Sequence, residues 1–543
     1  MVKKVFDRRY VPALVAATLL GGLINAWSVL LAFFNPAFRG LLPYGGSEEA
    51  MYLIRTQEAL LHPFTTVTNG VWSGQSAPLG LQSAGIEQLI GALLWWTHLP
   101  APWVVFVLHV LIAPLSIPLA AALARRVGAR KPLALLCGAA LFWFFVYCRR
   151  LFHPGFSLPL VLATLLLLWR WYEKPSARRA VLLGVPLGFA VGVYLWAWTF
   201  LWSATGLLLV GVIGDRKLTQ RKALLRSLPW VMLAALIAAA PAVKDLMMAR
   251  AQLFFAQASV RAGLVHTHLP ESPARSVVTV VLAVLALWIF RKKEERRAQL
   301  PLLCVLGALA VAYNQQLVHG VVLSFSSHYI HYVSVAAALL ILAILARKKR
   351  TLIGIGTCLL CAALLVLNGK DMGGRLIAFE PPPADAMRMQ HLAPALDALR
   401  GMPQTVFLSD KNTADVIASY TQQDVAFTEY SGFLLVSDKE YVERACLATL
   451  FAPLPTDYKT LVVHAEERLR VLRGQEPRAQ YDSHVVEANI ACAALRADPA
   501  AALKRYGVTH VLWNEAEQPG WKLPVFLKQT AKGDSWSIWQ VQS

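Results

Sequence analysis

Long apolar runs separated by short charged knots fill the first two thirds of the chain, and a mixed polar pattern fills the last third. A helix that crosses a bilayer needs roughly 17–25 predominantly apolar residues. Such runs lie near 11–34, 101–124, 132–148, 155–171, 180–195, 197–213, 228–243, 276–290, 299–314, 329–346 and 352–368. They predict about eleven membrane spans, several of them short. The run 85–98, Gly85 to His98, is too ambiguous in length to be counted with them.

Past Lys370 the pattern changes. Pro381-Pro382-Pro383 marks a linker over 370–384, and residues 385–543 are numerous enough to bury a core of their own. Thr405 to Leu408 reads as a strand, Thr413 to Tyr420 as a helix and Val425 to Phe427 as a further strand. Asp438 to Leu450 reads as a helix, Ala501 to Tyr506 as a helix end, and Thr509 to Trp513 and Trp536 to Val541 as strands. Strands alternating with helices predict a small soluble α/β domain. The expected architecture is a mostly α-helical polytopic membrane module over 1–369, with a long first outer loop at 35–100, followed by that domain.

Composition agrees. Of 543 residues 57% are hydrophobic and 15% charged, with a mean hydropathy of +0.49, whereas soluble domains carry about 25% charged residues. Disorder, collagen-like repeats and a disulfide scaffold are excluded. The net charge of +20 suggests a nucleic-acid binder until its distribution is read. The Lys and Arg residues form knots between spans: Lys3 to Arg9, Arg125 to Lys131, Lys174 to Arg179, Arg216 to Arg226, Arg291 to Arg297 and Arg347 to Arg350. With 85–98 taken as interfacial, every knot falls on one side, as the Lys/Arg bias of cytoplasmic loops requires. The N-terminus is then cytoplasmic and uncleaved, and the segment after Asn368 is extracytoplasmic. Of seven cysteines only Cys446 and Cys492 fall in the soluble part. A disulfide between them suits an oxidising compartment, and two unpaired thiols are equally open.

Candidate chemistry lies in the predicted outer loops. Ser47-Glu48-Glu49-Ala50-Met51-Tyr52-Leu53 follows the first span. One of its carboxylates suits a general base or an oxygen ligand to a divalent ion, and equally the acidic first turn of an amphipathic helix capped by Ser47. Arg149, Arg150 and His153 fit an anionic headgroup, because guanidinium grips phosphate oxygens in a planar fork. Interfacial snorkelling is the competing reading. Asn314, Gln315, His319, His328 and His331 place amides and imidazoles at membrane depth, where they are expensive unless they are buried in protein or line a cavity. Their spacing matches no standard zinc pattern, and no acid is near. Tyr194 to Phe200, with Trp196 and Trp198, reads as an interfacial belt or as the lining of a groove for an isoprenoid or a sugar. No nucleotide-binding, P-loop, zincin or nucleophile-elbow motif occurs.

These residues, together with Arg150 to Ser157, Gly320, Ala418 to Thr421 and Tyr506 to Thr509, resemble the GT-C superfamily of multi-pass glycosyltransferases that use polyprenyl-phosphate-linked sugars. More narrowly, the chain is similar to a bacterial group with a C-terminal extracytoplasmic α/β domain. The resemblance implies a GT-C-like enzyme of the bacterial inner membrane that transfers a sugar, with inversion, from a polyprenyl-phosphate carrier to an envelope acceptor. It implies that Glu48 or Glu49 deprotonates the acceptor. Most members have Asp there, so this is a departure. Arg149, Arg150, His153 and His328 would hold the donor phosphate, and Tyr52, Trp196, Trp198, Asn314, Gln315, His319 and His331 would line the substrate pocket. Metal-dependent members carry an acid in the next outer loop, and Arg149, Arg150 and His153 stand there instead. That favours an enzyme without a required cofactor. The expected partners are the lipid-linked sugar, its acceptor and membrane lipid, with no nucleic acid. A secondary transporter or flippase and a non-catalytic envelope protein are the rivals, although the inverted repeats expected of the former are not seen.

Overall fold

The computed structural model describes residues 10–42, 47–63, 84–145, 155–261, 268–270, 272–321, 326–347, 351–371, 387–428, 431, 434–453 and 478–542. All eleven apolar runs are helical where described: Tyr10–Phe33, Ala101–Ile112 continuing as Ser116–Arg126, Lys131–Phe145, Ser157–Glu173, Ala177–Val193, Leu195–Gly214, Arg221–Arg250, Pro273–Ile289, Leu300–Asn314, Ile330–Ala346 and Leu352–Asp371. Four of these stretches are long and apolar enough to cross a membrane by themselves: Tyr10–Trp27, Ala101–Arg126, Leu195–Gly214 and Arg221–Arg250. The run at 85–98 forms a helix of only ten residues, Gly85–Leu94, followed by a 3-10 turn over Trp95–Thr97, too short to span.

The chain divides into two compact units. The first comprises Met1–Leu31, Phe106–Val243 and His266–Pro381, and the second Ala32–Val105, Lys244–Val265 and Pro382–Ser543.

The first unit is built from the apolar helices. Apolar side chains gain little by leaving lipid for one another, so such helices associate through close packing of small residues. Gly184 and Gly188 on Ala177–Val193 supply it. A Cβ on Gly188 would come within 2.1 Å of the Ala235 carbonyl oxygen, and one on Gly184 within 2.4 Å of the Val231 oxygen. Neither obstacle is a flexible side-chain end. Gly188→Ala is expected to cost about 2–3 kcal/mol through overpacking, read as a lower melting temperature in detergent. An unchanged melting temperature would show that these helices do not approach so closely. Trp171 adds a polar tie, its buried Nε1 donating to Ser227 Oγ at 2.9 Å.

The second unit contains a five-stranded sheet in the order β2-β1-β3-β5-β4, where β1 is Val406–Leu408, β2 Asp424–Val425, β3 His510–Asn514, β4 Leu527–Lys532 and β5 Trp536–Val541. β2, β1 and β3 run parallel, and β5 is antiparallel to both β3 and β4. β1, β2, β3 and β5 match the sequence expectation, as do the helices Lys411–Tyr420 and Asp438–Leu447. Alternation along β1 serves two cores. Phe407 joins Leu396, Ala414 and Leu512 on one face, while Val406 and Leu408 join Leu503 and Val511 on the other. A strand covered on both faces is the rule for parallel sheets. Cys446 and Cys492 are bonded, linking Asp438–Leu447 to the helix Arg478–Ala497.

By its contacts the segment after the first apolar helix belongs with this unit. Leu41 and Ile54 lie in the same core as Phe407 and Tyr420. Gln390 clasps the backbone of Arg39 and Leu41, accepting both N–H groups and donating to the Leu41 carbonyl. The Tyr420 hydroxyl accepts the Leu42 N–H at 2.8 Å. Residues 244–265 join as well. Arg261 is buried, paired with Asp438, and donates to the carbonyls of Leu434 and Val436 at 2.7 and 2.8 Å.

Candidate functional site

The predicted site residues fall in both units. In the second unit, Ser47–Leu61 is a helix, so Glu48 and Glu49 occupy a first turn, where the exposed N–H groups and the helix dipole favour carboxylates. Glu49 is 4% exposed, and the helix buries Leu53 and Ile54. Tyr52 is half-buried. Two turns on, Arg55 forms a buried ion pair with Glu87 at 3.2 Å. Nothing in the spacing of the two residues signalled this pair.

Glu58 near the end of the same helix and His62 just past it face Asp424 electrostatically. Burial pushes the Asp424 carboxyl up from 3.8 to about 6, the Glu58 carboxylate adds to this, and the Gln404 amide and His62 oppose it. A folded pKa above the unfolded one favours folding while the group is protonated. That contribution is complete below the ordinary value of 3.8 and is lost as pH rises through about 6. Asp424→Asn is therefore expected to stabilise the protein by about 1 kcal/mol at pH 7, with screening at this half-buried position reducing the full effect. Near pH 4 it should change little. Melting curves at both pH values check this, and equal shifts at both would contradict it.

In the first unit, Tyr194 is a single extended residue between the helices Ala177–Val193 and Leu195–Gly214. The break turns the chain and puts Trp196 into the opening turn of the second helix. Ser326–Tyr329 forms a 3-10 turn at the start of Ile330–Ala346. Across 134 residues the two starts meet: the Tyr194 hydroxyl hydrogen-bonds His328 Nδ1. Trp196 stacks on the His328 ring with centroids 4.3 Å apart and planes 14° apart. Trp196 is 4% exposed, and its indole N–H has no hydrogen-bond partner among the described residues. Behind them Thr199 Oγ1 bonds the Tyr329 hydroxyl at 2.7 Å, and Tyr332 stacks on Phe200.

The other predicted residues are placed less closely. Asn314 Nδ2 is held by the Ala310 carbonyl of its own helix at 2.7 Å. Gln315 and Trp198 are half-buried and His331 is buried. His319 is exposed, with Nδ1 accepting the Val321 N–H at 3.1 Å. Arg149, Arg150 and His153 lie outside the described residues. Among the described residues no three His, Cys, Asp or Glu side chains gather as a metal site.

No protein-family model and no curated protein matches the chain. Solved structures do. The oligosaccharyltransferase of Archaeoglobus fulgidus, tethered with an acceptor peptide containing the NVT sequon, aligns over 93% of this chain and 69% of its own, with 11% identity and a TM-score of 0.50. The chain shares the fold of that oligosaccharyltransferase. The archaeal oligosaccharyltransferase AglB in complex with an inhibitory peptide and a dolichol-phosphate aligns at a TM-score of 0.47, with 12% identity, over 94% of this chain and 70% of its own. The mycobacterial arabinofuranosyltransferase AftD aligns at a TM-score of 0.45 with 12% identity; the match covers 99% of this chain and 40% of AftD. At such identities the likeness is one of architecture. The alignment over 93% of the chain takes in both the apolar helices and the sheet-containing unit.

Proposed function

We propose that the chain is a glycosyltransferase that moves a sugar, with inversion, from a polyprenyl-phosphate carrier to an acceptor of the cell envelope on the extracytoplasmic side of a bacterial inner membrane. The observation that carries this reading is the pairing of Trp196 with His328. A buried indole N–H without a partner costs roughly 1–3 kcal/mol unless a ligand satisfies it, and the His328 imidazole is stacked on that indole. The reading assigns the Tyr194 hydroxyl as donor to His328 Nδ1, which places the imidazole proton on Nε2 for a phosphate oxygen of the carrier. A flat aromatic pair beside these donors also suits the face of a sugar ring. The GT-C fold supports the reaction class.

In this reading the acceptor hydroxyl or amide attacks the anomeric carbon and gives its proton to a carboxylate, a role for which the resemblance marks Glu48 or Glu49. The bond from that carbon to the carrier phosphate breaks, and the phosphate leaves with its charge held by His328, Arg149, Arg150 and His153. Donors already aimed at a leaving anion lower the barrier strongly, because they need no reorganisation as the charge develops. No metal is needed for this, so EDTA is expected to leave the rate unchanged. Abolition by EDTA with rescue by a divalent ion would overturn that part.

The test is a panel of radiolabelled polyprenyl-phosphate sugars offered with envelope extract to the protein in nanodiscs. Transfer from one donor is expected, and a folded protein inert to every donor sinks the reading. Trp196→Ala is expected to raise KM for the active donor about tenfold, in line with the ~1–3 kcal/mol value of a stacked base or ring. An unchanged KM would remove Trp196 from the site.

A further inference from the structure

The sheet of the second unit grows in two directions from β1, with β2 added on one side and β3 on the other, all parallel. In open α/β sheets such a switch point leaves a crevice beyond the carboxyl ends of the two central strands, where ligands bind. Here β1 runs out into Ser409 and Asp410, and β3 ends on Asn514. Asp410 is 4% exposed. Its Oδ1 caps the Lys411–Tyr420 helix, accepting the N–H groups of Asn412 and Thr413 at 3.1 Å each. Its Oδ2 is buried and has no hydrogen-bond partner among the described residues. Asn514 is wholly buried, donating to Thr413 Oγ1 at 3.0 Å and meeting His391 Nε2 at 2.8 Å. Ser409 Oγ donates to the Leu512 carbonyl at 2.7 Å. His391 is half-buried and Lys411 exposed, toward solvent. The transfer chemistry uses none of these groups.

We propose that this crevice is a second binding site, for a neutral saccharide. The carboxylate oxygen left unmatched at Asp410 accepts from a sugar hydroxyl, and a neighbouring hydroxyl exchanges into the contact between His391 Nε2 and Asn514 Oδ1, because His391 Nδ1 is already held by the Arg388 carbonyl at 2.7 Å and Asn514 Nδ2 by Thr413 Oγ1 at 3.0 Å. Carboxylate, amide and imidazole side by side match vicinal hydroxyls, each of which both donates and accepts. A nucleotide is disfavoured at the same place. The helix N-terminus that would hold its phosphate is already filled by the Asp410 carboxylate, which repels anions. Burial also raises the Asp410 pKa, opposed by the Thr413 side chain and by the Asn412 and Thr413 N–H groups, and a donating hydroxyl relieves what remains of that cost. The site lies within one unit and stands whether or not the transfer reading is correct.

The test uses the full chain in nanodiscs and ligand-observed NMR with neutral hexose and pentose oligosaccharides, their phosphorylated counterparts and UDP. At least one neutral oligosaccharide is expected to bind at millimolar concentration or below. Asp410→Asn preserves a good helix cap and is expected to weaken that binding at least tenfold. If Asp410→Asn melts below the wild type, His391→Gln, which lies off the cap, should show the same weakening. The proposal is overturned if no neutral oligosaccharide binds. It is equally overturned if binding survives in both variants, or if the phosphorylated probes or UDP bind more tightly than the neutral sugars.

Discussion

Glu48→Gln is expected to lower sugar transfer by roughly 10²- to 10⁴-fold, the usual worth of a positioned general base, with donor KM and melting temperature unchanged. Glutamine keeps the size of the side chain but cannot take the acceptor proton. The helix beginning at Ser47 places Glu48 and Glu49 about 100° apart around its axis, so both cannot serve one acceptor in the same way. Glu49 is buried in a unit whose core includes Ile54 of the same helix. Glu49→Gln is therefore expected to cost less than tenfold in rate. Single-turnover rates with a preloaded donor separate the chemical step from binding. A silent Glu48→Gln beside an inactive Glu49→Gln would move the base by one residue. Two active variants would reduce the acidic pair to a helix start.

Removing the bond between Cys446 and Cys492, as the double alanine variant, is expected to destabilise the second unit by about 4 kcal/mol. The bond closes a loop with a sequence separation of 46, and loop-closure entropy for about that length gives this figure. Both cysteines are buried against Leu447, Leu450 and Leu495, so the lost linkage acts on a packed core. Denaturant unfolding of the full chain, monitored by tryptophan fluorescence, measures it. A shift below about 1 kcal/mol would mean that the loop is already constrained without the bond. Because such bonds persist in oxidising compartments, the linkage also supports an extracytoplasmic second unit. Labelling of thiols in intact cells tests this: reduction-dependent labelling of Cys446 by an impermeant reagent is expected, and labelling without reduction contradicts it.

The linear pattern of the chain determined the apolar helices. Each of the eleven runs became a helix because its backbone, in lipid, can satisfy its polar groups only within itself. It also determined the parallel part of the sheet, since β1 and β3 are short apolar runs bounded by turn residues. β4 was not legible. Leu527–Lys532 carries Lys, Gln and Thr along a largely exposed edge, and a strand with only one sheet neighbour needs no apolar alternation. The helix Arg478–Ala497 also went unread, although its cysteine was noted. For the site, the sequence marked Glu48, Glu49, Trp196 and His328 by residue type and neighbourhood. It did not show that Trp196 lies against His328, that Tyr194 orients the ring, or that Arg55 pairs with Glu87. Nor did it show that Leu41 and Ile54 share a core with the C-terminal sheet. Periodicity reports which face of an element turns inward, because burial follows local geometry. Which distant face it meets depends on packing summed over the whole chain, and only the tertiary structure decided that.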